Sequence, residues 1–267
     1  MSEVKNRGVL PEDNGGNKTM TDIFFAEESP KMIEAYKKAQ ETFRYFWREL
    51  SWEYRRIIPA LDLACVKVRL SQIMDDNDTP TLEHMWVNEI DFDGENIKGV
   101  LINEPNLLTN IKVEDAVIVP LSQISDWLFT QGDKTFGGFT IQAMRSEMSD
   151  NERKEHDEAW GLDFGDYNDI WVVTNQQERP ENLEEHPMSK NMREQLIEFL
   201  QQNPGELTSK DDLGNTLLHR ESIAGNRTSV EVLLQFGVDK NAKNNNGKTA
   251  LDYATQLNWE NIIPILE

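Results

Sequence analysis

The stretch Asp211-Asp212-Leu213-Gly214-Asn215-Thr216-Leu217-Leu218-His219 returns 33 residues later as Asn244-Asn245-Asn246-Gly247-Lys248-Thr249-Ala250-Leu251-Asp252. A fixed period of this length indicates a stack of similar units, each burying an apolar face against the next. The same offset relates three sets of apolar positions: Ile197, Val230 and Ile263; Phe199, Val232 and Ile265; Leu200, Leu233 and Leu266.

The recurring residues have mechanical roles. Gly214 and Gly247 provide the positive φ of a tight turn, and Thr216 and Thr249 provide a side-chain oxygen that can cap the next helix. Gly225 is placed to end that helix. A Gly-x-Thr turn before two short helices, repeating every 33 residues, resembles the ankyrin repeat.

The resemblance is most specific over residues 211–258. Phe236-Gly237-Val238-Asp239-Lys240-Asn241-Ala242 resembles the ankyrin loop Gly-Ala-Asp-x-Asn-Ala, but Thr216-Leu217-Leu218-His219 lacks the usual proline, and Glu221-Ser222 replaces an Ala-Ala pair. One full unit, a nearly full second and one helix at about 189–202 are present, whereas roughly three copies are needed for a continuous core. We therefore expect the first helix to lean on the domain before it.

An ankyrin stack carries no chemistry of its own, so the resemblance implies protein binding. Binding is expected at the turns and the groove. The predicted partner contacts in this region are Asp211, Asp212, Arg220, Asn244 and Asn245.

The composition narrows the class of partner. The 267 residues carry a formal net charge of −21, which disfavours nucleic acid and anionic membranes and favours a basic protein partner. An acidic surface can also serve solubility alone. The single cysteine, Cys65, excludes an internal disulfide framework and is expected to be a buried thiol. We find no secretory signal and no apolar run of about 18 residues, so a cytoplasmic location is expected.

The region before the repeats predicts an α+β domain with an antiparallel sheet and flanking helices, joined to the short all-α ankyrin stack. Residues 1–28 are predicted to be a flexible tail, 29–180 the α+β domain and 186–267 the ankyrin domain, with a linker over 176–187. The predicted elements are a helix over 30–50 with an aromatic stripe, strands over 64–70, 82–92, 97–102, 116–119, 124–128 and 139–144, and a helix over 149–160 that begins with a capping box.

Several short motifs in this region resemble a known family. They are Met85-Trp86-Val87, Gly99-Val100-Leu101-Ile102-Asn103-Glu104-Pro105, Asp115-Ala116-Val117-Ile118-Val119, Ile124-Ser125-Asp126-Trp127 and Gly137-Gly138-Phe139-Thr140. Together they resemble the YegJ-like bacterial domain of unknown function over roughly residues 35–160. The family usually has Gly-Asp where this chain has Glu114-Asp115. The resemblance implies a small α+β domain without an established activity, found beside ankyrin repeats in bacterial toxin–immunity settings.

An acidic run extends from Glu147 to Glu185. A patch that contacts a basic partner is one interpretation, with Glu155, Asp157 and Glu158 as predicted contacts; a solvated helix face followed by a loop is the other.

Catalytic and metal motifs are sparse. The four histidines and one cysteine show no metal-ligand spacing, and no nucleophile elbow, phosphate loop or dinucleotide fingerprint is present. Asp75-Asp76-Asn77-Asp78 and Asp91-Phe92-Asp93-Gly94 lack the spacing of a calcium loop and are predicted to be turns. We therefore predict no catalytic residue, metal or cofactor. The one site to consider in the α+β domain comprises Trp86, Asp126, Trp127, Gly137 and Gly138, although an aspartate here can equally accept from turn amides.

Three hypotheses follow from these patterns. The first is an immunity or antitoxin-type protein whose acidic surface and ankyrin turns bind a basic protein. The second is an intracellular ankyrin adaptor unrelated to toxins, and the third is an enzyme with a site near Asp126. The sequence leaves the oligomeric state open.

Overall fold

The computed structural model describes residues 29–74 and 80–267. These residues form two compact units. One contains the chain up to Phe46 together with Arg56–Val172, and the other contains Trp47–Arg55 together with Val173–Glu267. The predicted flexible tail and the Asp75–Asp78 turn lie outside the described residues.

The first unit is built on a six-stranded antiparallel sheet with strand order β4-β3-β2-β1-β5-β6. Helix α1 begins at Pro30, after Ser29, whose hydroxyl accepts from the Met32 amide at 3.2 Å. This is the helix start that the sequence predicted. The bounds are α1 Pro30–Glu53, β1 Leu63–Gln72, β2 Thr81–Phe92, β3 Asn96–Leu101, β4 Ala116–Pro120, β5 Ile124–Gln131, β6 Lys134–Gly137, α2 Phe139–Arg145 and α3 Asp150–Trp160.

One predicted strand is wrong. Residues 139–144 belong to helix α2, and the strand lies just before them as β6. Gly137 and Gly138 have φ values of 75° and 70°, which a β-strand cannot continue through. The pair therefore ends β6 and starts the helix.

The core of this unit is aromatic, as the helical stripe predicted. Phe43 and Phe46 of α1 are fully buried, and Phe46 packs on Trp127 with ring centroids 5.7 Å apart. The Trp127 indole N–H donates to the Ala39 carbonyl at 3.1 Å. These contacts fix α1 against β5.

A second apolar cluster is centred on Cys65, which is fully buried as predicted. Cys65, Leu128, Ile141 and Phe164 form it, and Trp86 and Trp160 pack against it. Burial raises the pKa of the Cys65 thiol well above its usual value, so the thiol is an uncharged apolar filler. Helix α2 and the segment after α3 thereby cover part of the sheet.

The second unit is helical apart from its turns. Its last helix contains Pro264 in the first turn, as predicted. The helix expected at about 189–202 is two helices, and short 3-10 turns lie at Pro180–Leu183 and Pro204–Leu207. The helices are α4 Pro187–Asn191, α5 Arg193–Gln202, α6 Leu217–Ile223, α7 Arg227–Gln235, α8 Ala250–Gln256 and α9 Ile263–Leu266.

The predicted linker over 176–187 is wrong for its second half. Asn182, Glu185 and His186 are buried, and Glu185 accepts from the Ser189 hydroxyl and from the Thr228 amide, both at 2.6 Å. These residues form part of the packed unit because their polar groups bind the helices that follow.

Residues Trp47–Arg55 supply packing surface that the short repeat lacks. The Trp52 indole N–H donates to Asn226 Oδ1 at 2.9 Å, and the Trp52 ring stacks on His186 with centroids 5.8 Å apart. Arg55 forms an ion pair with the buried Glu221 at 2.8 Å. We expected the first repeat helix to need support from an earlier segment, and these contacts provide it at the start of α4 and on α6.

The repeat turns have the geometry that the sequence predicted. Gly214 and Gly247 have φ values of 77° and 74°. Gly225, at φ 70°, follows α6, and a Cβ placed there would lie 2.4 Å from the Trp259 ring. Glycine at 225 therefore permits both the turn and a close approach of the tryptophan.

Candidate interaction surfaces

The finger turns of the ankyrin unit are the first candidate surface. We define finger one as residues 210–216 and finger two as residues 243–249. The Asn245 amide donates to the Leu213 carbonyl at 2.9 Å, and its side-chain amide donates to the Asp212 carbonyl at 3.0 Å. These bonds hold the two fingers side by side.

Four of the predicted ankyrin contacts lie at the surface. Asp211, Asp212, Arg220 and Asn245 are exposed. Asp211 also has a structural role, because its Oδ1 accepts from the amides of Leu213 and Asn215 at 3.0 and 2.8 Å. Asp212 and Arg220 are therefore the residues at which a substitution disturbs the turn least.

Asn244 differs from the other predicted contacts because only 7% of it is exposed. Its Oδ1 accepts from two amides of its own turn, those of Asn246 and Lys248. Its amide group donates to Asn215 Oδ1 and to the Tyr253 hydroxyl, both at 2.8 Å. All of these bonds stabilise finger two, so we remove Asn244 from the set of proposed contacts.

His219 joins the two fingers from below. Its Nδ1 accepts from the Thr216 amide at 3.2 Å, and its Nε2 lies 3.0 Å from the Lys248 carbonyl. Burial lowers the pKa of His219, against the opposing effect of the Lys248 carbonyl. The ring is therefore neutral, with its proton on Nε2.

A groove of about 740 Å³ lies beside the fingers. Leu207, Phe236, Val238 and Ala242 give it apolar walls. Its charged residues are Lys210, Asp239 and Lys243, so no strong excess of either sign lines it.

The second candidate surface is the acidic segment 147–169 of the sheet unit. It contains nine acidic and two basic side chains. Helix α3 begins with the predicted capping box, in which Glu152 accepts from the Ser149 amide at 2.7 Å. The exposed carboxylates are those of Glu147, Asp150, Glu152, Glu155, Glu158, Asp163, Asp166 and Asp169.

Glu155 and Glu158 project from α3 into solvent, whereas Asp157 binds within the unit. Asp157 accepts from Arg145 Nε at 3.0 Å and from Nη2 at 2.7 Å. The Arg145 side chain is only 5% exposed, so removing Asp157 would leave a buried charge unpaired. Of the three predicted contacts on α3, Glu155 and Glu158 are the accessible ones.

Asp126 lies in the sheet unit and is fully buried. Oδ1 accepts from the amides of Trp127 and Phe139 at 2.8 and 2.9 Å, and Oδ2 accepts from the Thr140 amide and hydroxyl at 2.7 and 2.6 Å. Burial raises the pKa of Asp126, and the bonds from Thr140 and Trp127 oppose that rise. Four donors at the start of α2 make it a structural carboxylate.

The other residues of this candidate site are also structural. A Cβ on Gly137 would lie 2.3 Å from the Trp127 carbonyl oxygen, and the Gly138 amide donates to that oxygen at 2.8 Å. Trp86 packs on the Cys65 cluster, with Lys67 Nζ 5.8 Å from its ring centroid. A cavity of about 410 Å³ lies in the same unit, but its lining includes none of Trp86, Asp126, Trp127, Gly137 or Gly138. The geometry does not assemble them around a substrate space.

Two further polar residues of β2 escaped the sequence analysis. Glu83 is buried and accepts from the amides of Asn106, Leu107 and Leu108 at 2.7, 3.0 and 3.1 Å. His84 lies 2.5 Å from the Ser125 hydroxyl, and its ring stacks on Tyr36. The signal for Glu83 was present: strand alternation places it in register with the buried Met85 and Val87.

Within residues 29–74 and 80–267, no cluster of three or more His, Cys, Asp or Glu side chains is arranged to hold a metal ion. In the Asp91–Gly94 turn, Asp93 Oδ1 accepts from the amides of Glu95 and Asn96 at 2.8 and 2.7 Å. The same part of the chain contains no helix with the length and apolarity needed to cross a membrane.

Comparison with known proteins gives matches for both regions. Residues 29–164 match a family described as "Uncharacterized protein conserved in bacteria (DUF2314)", and residues 187–266 match ankyrin repeats. A Neisseria meningitidis serogroup B protein described as an ankyrin repeat protein is 47% identical over 246 residues, or 92% of this chain and 96% of that protein. The uncharacterized protein YegJ of Escherichia coli K12 is 34% identical over 62 residues, or 23% of this chain and 40% of YegJ. No solved structure matches.

Proposed function

The chain belongs to the DUF2314 family of bacterial proteins and carries ankyrin repeats, and we propose on that premise that it is a cytoplasmic immunity or antitoxin-type protein. Ankyrin repeats bind proteins, so a role in protein interaction is established by the fold. The proposed partner is a basic protein, held without nucleic acid or membrane.

The acidic segment 147–169 is the observation that supports this proposal most strongly. Its exposed carboxylates lie close together in sequence on α3 and the loop after it. Carboxylates of one sign on a surface raise the rate at which a basic protein arrives, and salt weakens the effect. Because most of these groups have no buried cationic partner that demands them, they are available for this role.

The ankyrin fingers are proposed to select the partner after arrival. Asp212, Arg220 and Asn245 are exposed on or beside two turns that hydrogen bonds hold rigid. Rigid polar groups lose little conformational freedom on binding, so they discriminate between partners through geometry.

Affinity capture from the native cells tests the proposal. The protein is immobilised, and retained proteins are released at about 50 mM and then about 500 mM salt, a range over which surface electrostatics weakens strongly. We expect a basic protein that leaves as salt rises. A neutral protein held through high salt would favour the adaptor hypothesis instead.

A charge-reversed variant makes the capture specific. Glu155→Lys with Glu158→Lys alters the patch and leaves the Arg145–Asp157 pair intact. Glu41→Lys with Glu104→Lys changes the net charge equally at exposed positions elsewhere in the same unit. Retention lost in the first variant and kept in the second supports the patch; equal loss in both would contradict it.

A further inference from the structure

The two edges of the six-stranded sheet differ in their backbone hydrogen bonding. At the β6 edge, the Thr135 amide donates to the Asp163 carbonyl at 3.0 Å, and the Gly137 amide donates to the Trp171 carbonyl at 2.8 Å. The segment that follows α3 thus covers this edge. At the other edge, no strand within the described residues lies beyond β4.

The register of β4 shows which of its backbone groups face outward. The Leu101 amide donates to Asp115, and the Leu121 amide donates to the Glu95 carbonyl, both at 3.0 Å. Odd-numbered residues therefore turn their backbone groups toward β3. Because backbone direction alternates along an antiparallel strand, Ala116, Ile118 and Pro120 turn theirs outward.

The outward residues form an uncharged, exposed edge. Ile118 is 65% exposed, and Ala116 and Pro120 are exposed as well. The whole strand, Ala116–Pro120, has no charged side chain in a chain of net charge −21. Proteins commonly protect a free edge with charges, with proline or with a covering segment. Here the proline at the end of β4 is the one such device on the strand.

We propose that β4 pairs antiparallel with β4 of a second copy of this chain, about a two-fold axis at Ile118. Ile118 of each copy then donates its amide to the carbonyl of Ile118 in the other. Ala116 donates to the carbonyl of the second copy's Pro120, and the reverse bond forms by symmetry. Every outward amide of the strand is satisfied.

Pro120 favours this arrangement over pairing with an unrelated strand. Proline has no amide hydrogen to donate, so it fits opposite a residue whose carbonyl can remain solvated at a strand end. In the proposed register that residue is Ala116, whose amide needs the Pro120 carbonyl. The donor pattern of β4 is therefore its own complement, and the two Ile118 side chains become cross-strand neighbours.

The pairing is weak and reversible, because a five-residue edge buries much less than the roughly 1,000 Å² typical of a stable interface. Its response to salt is opposite to that of the proposed basic partner. Two copies of charge −21 repel each other, so added salt strengthens the pair, whereas it weakens capture of a basic protein. Failure of one proposal is thus distinguishable from failure of the other.

Disulfide trapping tests the register. Two antiparallel residues that form a hydrogen-bonded pair have Cα atoms about 5.5 Å apart, within the range of a disulfide. Ile118→Cys is therefore expected to give a covalent dimer under oxidised glutathione. The matched control is Ala116→Cys, whose two copies would lie about 13 Å apart in this register. The natural Cys65 is buried and does not compete.

The outcome decides the proposal. We expect a dimer yield at least tenfold higher for Ile118→Cys than for Ala116→Cys, rising with salt. Equal yields, or no dimer from either variant, would overturn the proposal. A second measurement uses no new cysteine: sedimentation at increasing concentration should show association of the natural protein and of Ile58→Lys, an exposed control, but not of Ile118→Lys. Association of Ile118→Lys equal to that of the natural protein would also overturn it.

Discussion

The acidic segment 147–169 and the ankyrin region 204–248 use charge differently. The first contains nine acidic and two basic residues, whereas the second contains six of each. In the acidic segment most carboxylates extend into solvent. In the ankyrin region Glu221 is buried against Arg55 and Asn226, and Asp211 accepts from turn amides. The difference indicates that one region contributes long-range attraction and the other contributes a defined shape.

The largest expected effect separates the two regions by removing the shape. Gly225→Ala forces a positive φ on alanine and brings its Cβ against the Trp259 ring. We expect it to destabilise the ankyrin unit by about 3 kcal/mol. Hydrogen exchange should quicken in α6–α8 and not in the sheet strands. Equal change in both units would contradict the assignment of Gly225 to the ankyrin core.

A smaller effect is expected in the sheet unit. Asp126→Ala removes the acceptor for three backbone amides and one hydroxyl at the start of α2, and should cost about 2 kcal/mol or more. Exchange at the Phe139 and Thr140 amides reports it directly. If the variant keeps their protection but loses a biochemical activity, Asp126 has a catalytic role and the structural interpretation is wrong.

Acidification should weaken the sheet unit through His84. Burial lowers the pKa of His84 to about 4 from 6.5, with Lys67 and Arg69 adding to the effect. The folded unit therefore binds fewer protons than the unfolded chain, so its stability falls as pH drops from about 6.5 toward 4. An NMR titration should give a His84 midpoint near 4. A midpoint near 6.5 would show that the Tyr36 stack does not shield the ring.

The smallest expected effect concerns binding lifetime. Arg220→Glu changes an exposed side chain on α6 and leaves the finger hydrogen bonds in place. We expect a severalfold faster dissociation of the bound protein with little change in unfolding, because a local contact affects dissociation more than arrival. Surface plasmon resonance measures both rates. An unchanged dissociation rate would exclude Arg220 as a contact.

The sequence predicted the repeat well because its signal is geometric. The 33-residue offset, the glycine turns and the caps at Thr216 and Thr249 each depend on neighbouring residues, and the structure confirms all of them. The capping box of α3 was predictable for the same reason.

Other features depend on contacts that are distant in sequence. The Gly137-Gly138 pair leads into a helix because Asp126, from β5, accepts the first amides of α2, and no local pattern shows that. Asn244 looks like a surface residue in an Asn-Asn-Asn run, but Asn215 and Tyr253 surround it. The role of Trp52 in the ankyrin unit spans 174 residues to Asn226, so periodicity could not reveal it.

The most direct test of the central proposal is the salt dependence of the association rate for the basic protein retained in the capture. We predict that the natural protein associates more slowly as salt rises. Glu155→Lys with Glu158→Lys should lower the rate about tenfold at low salt and flatten its salt dependence. Glu41→Lys with Glu104→Lys should behave nearly as the natural protein. Equal rates for the two doubly substituted variants would contradict a role for the acidic segment in recruiting the partner.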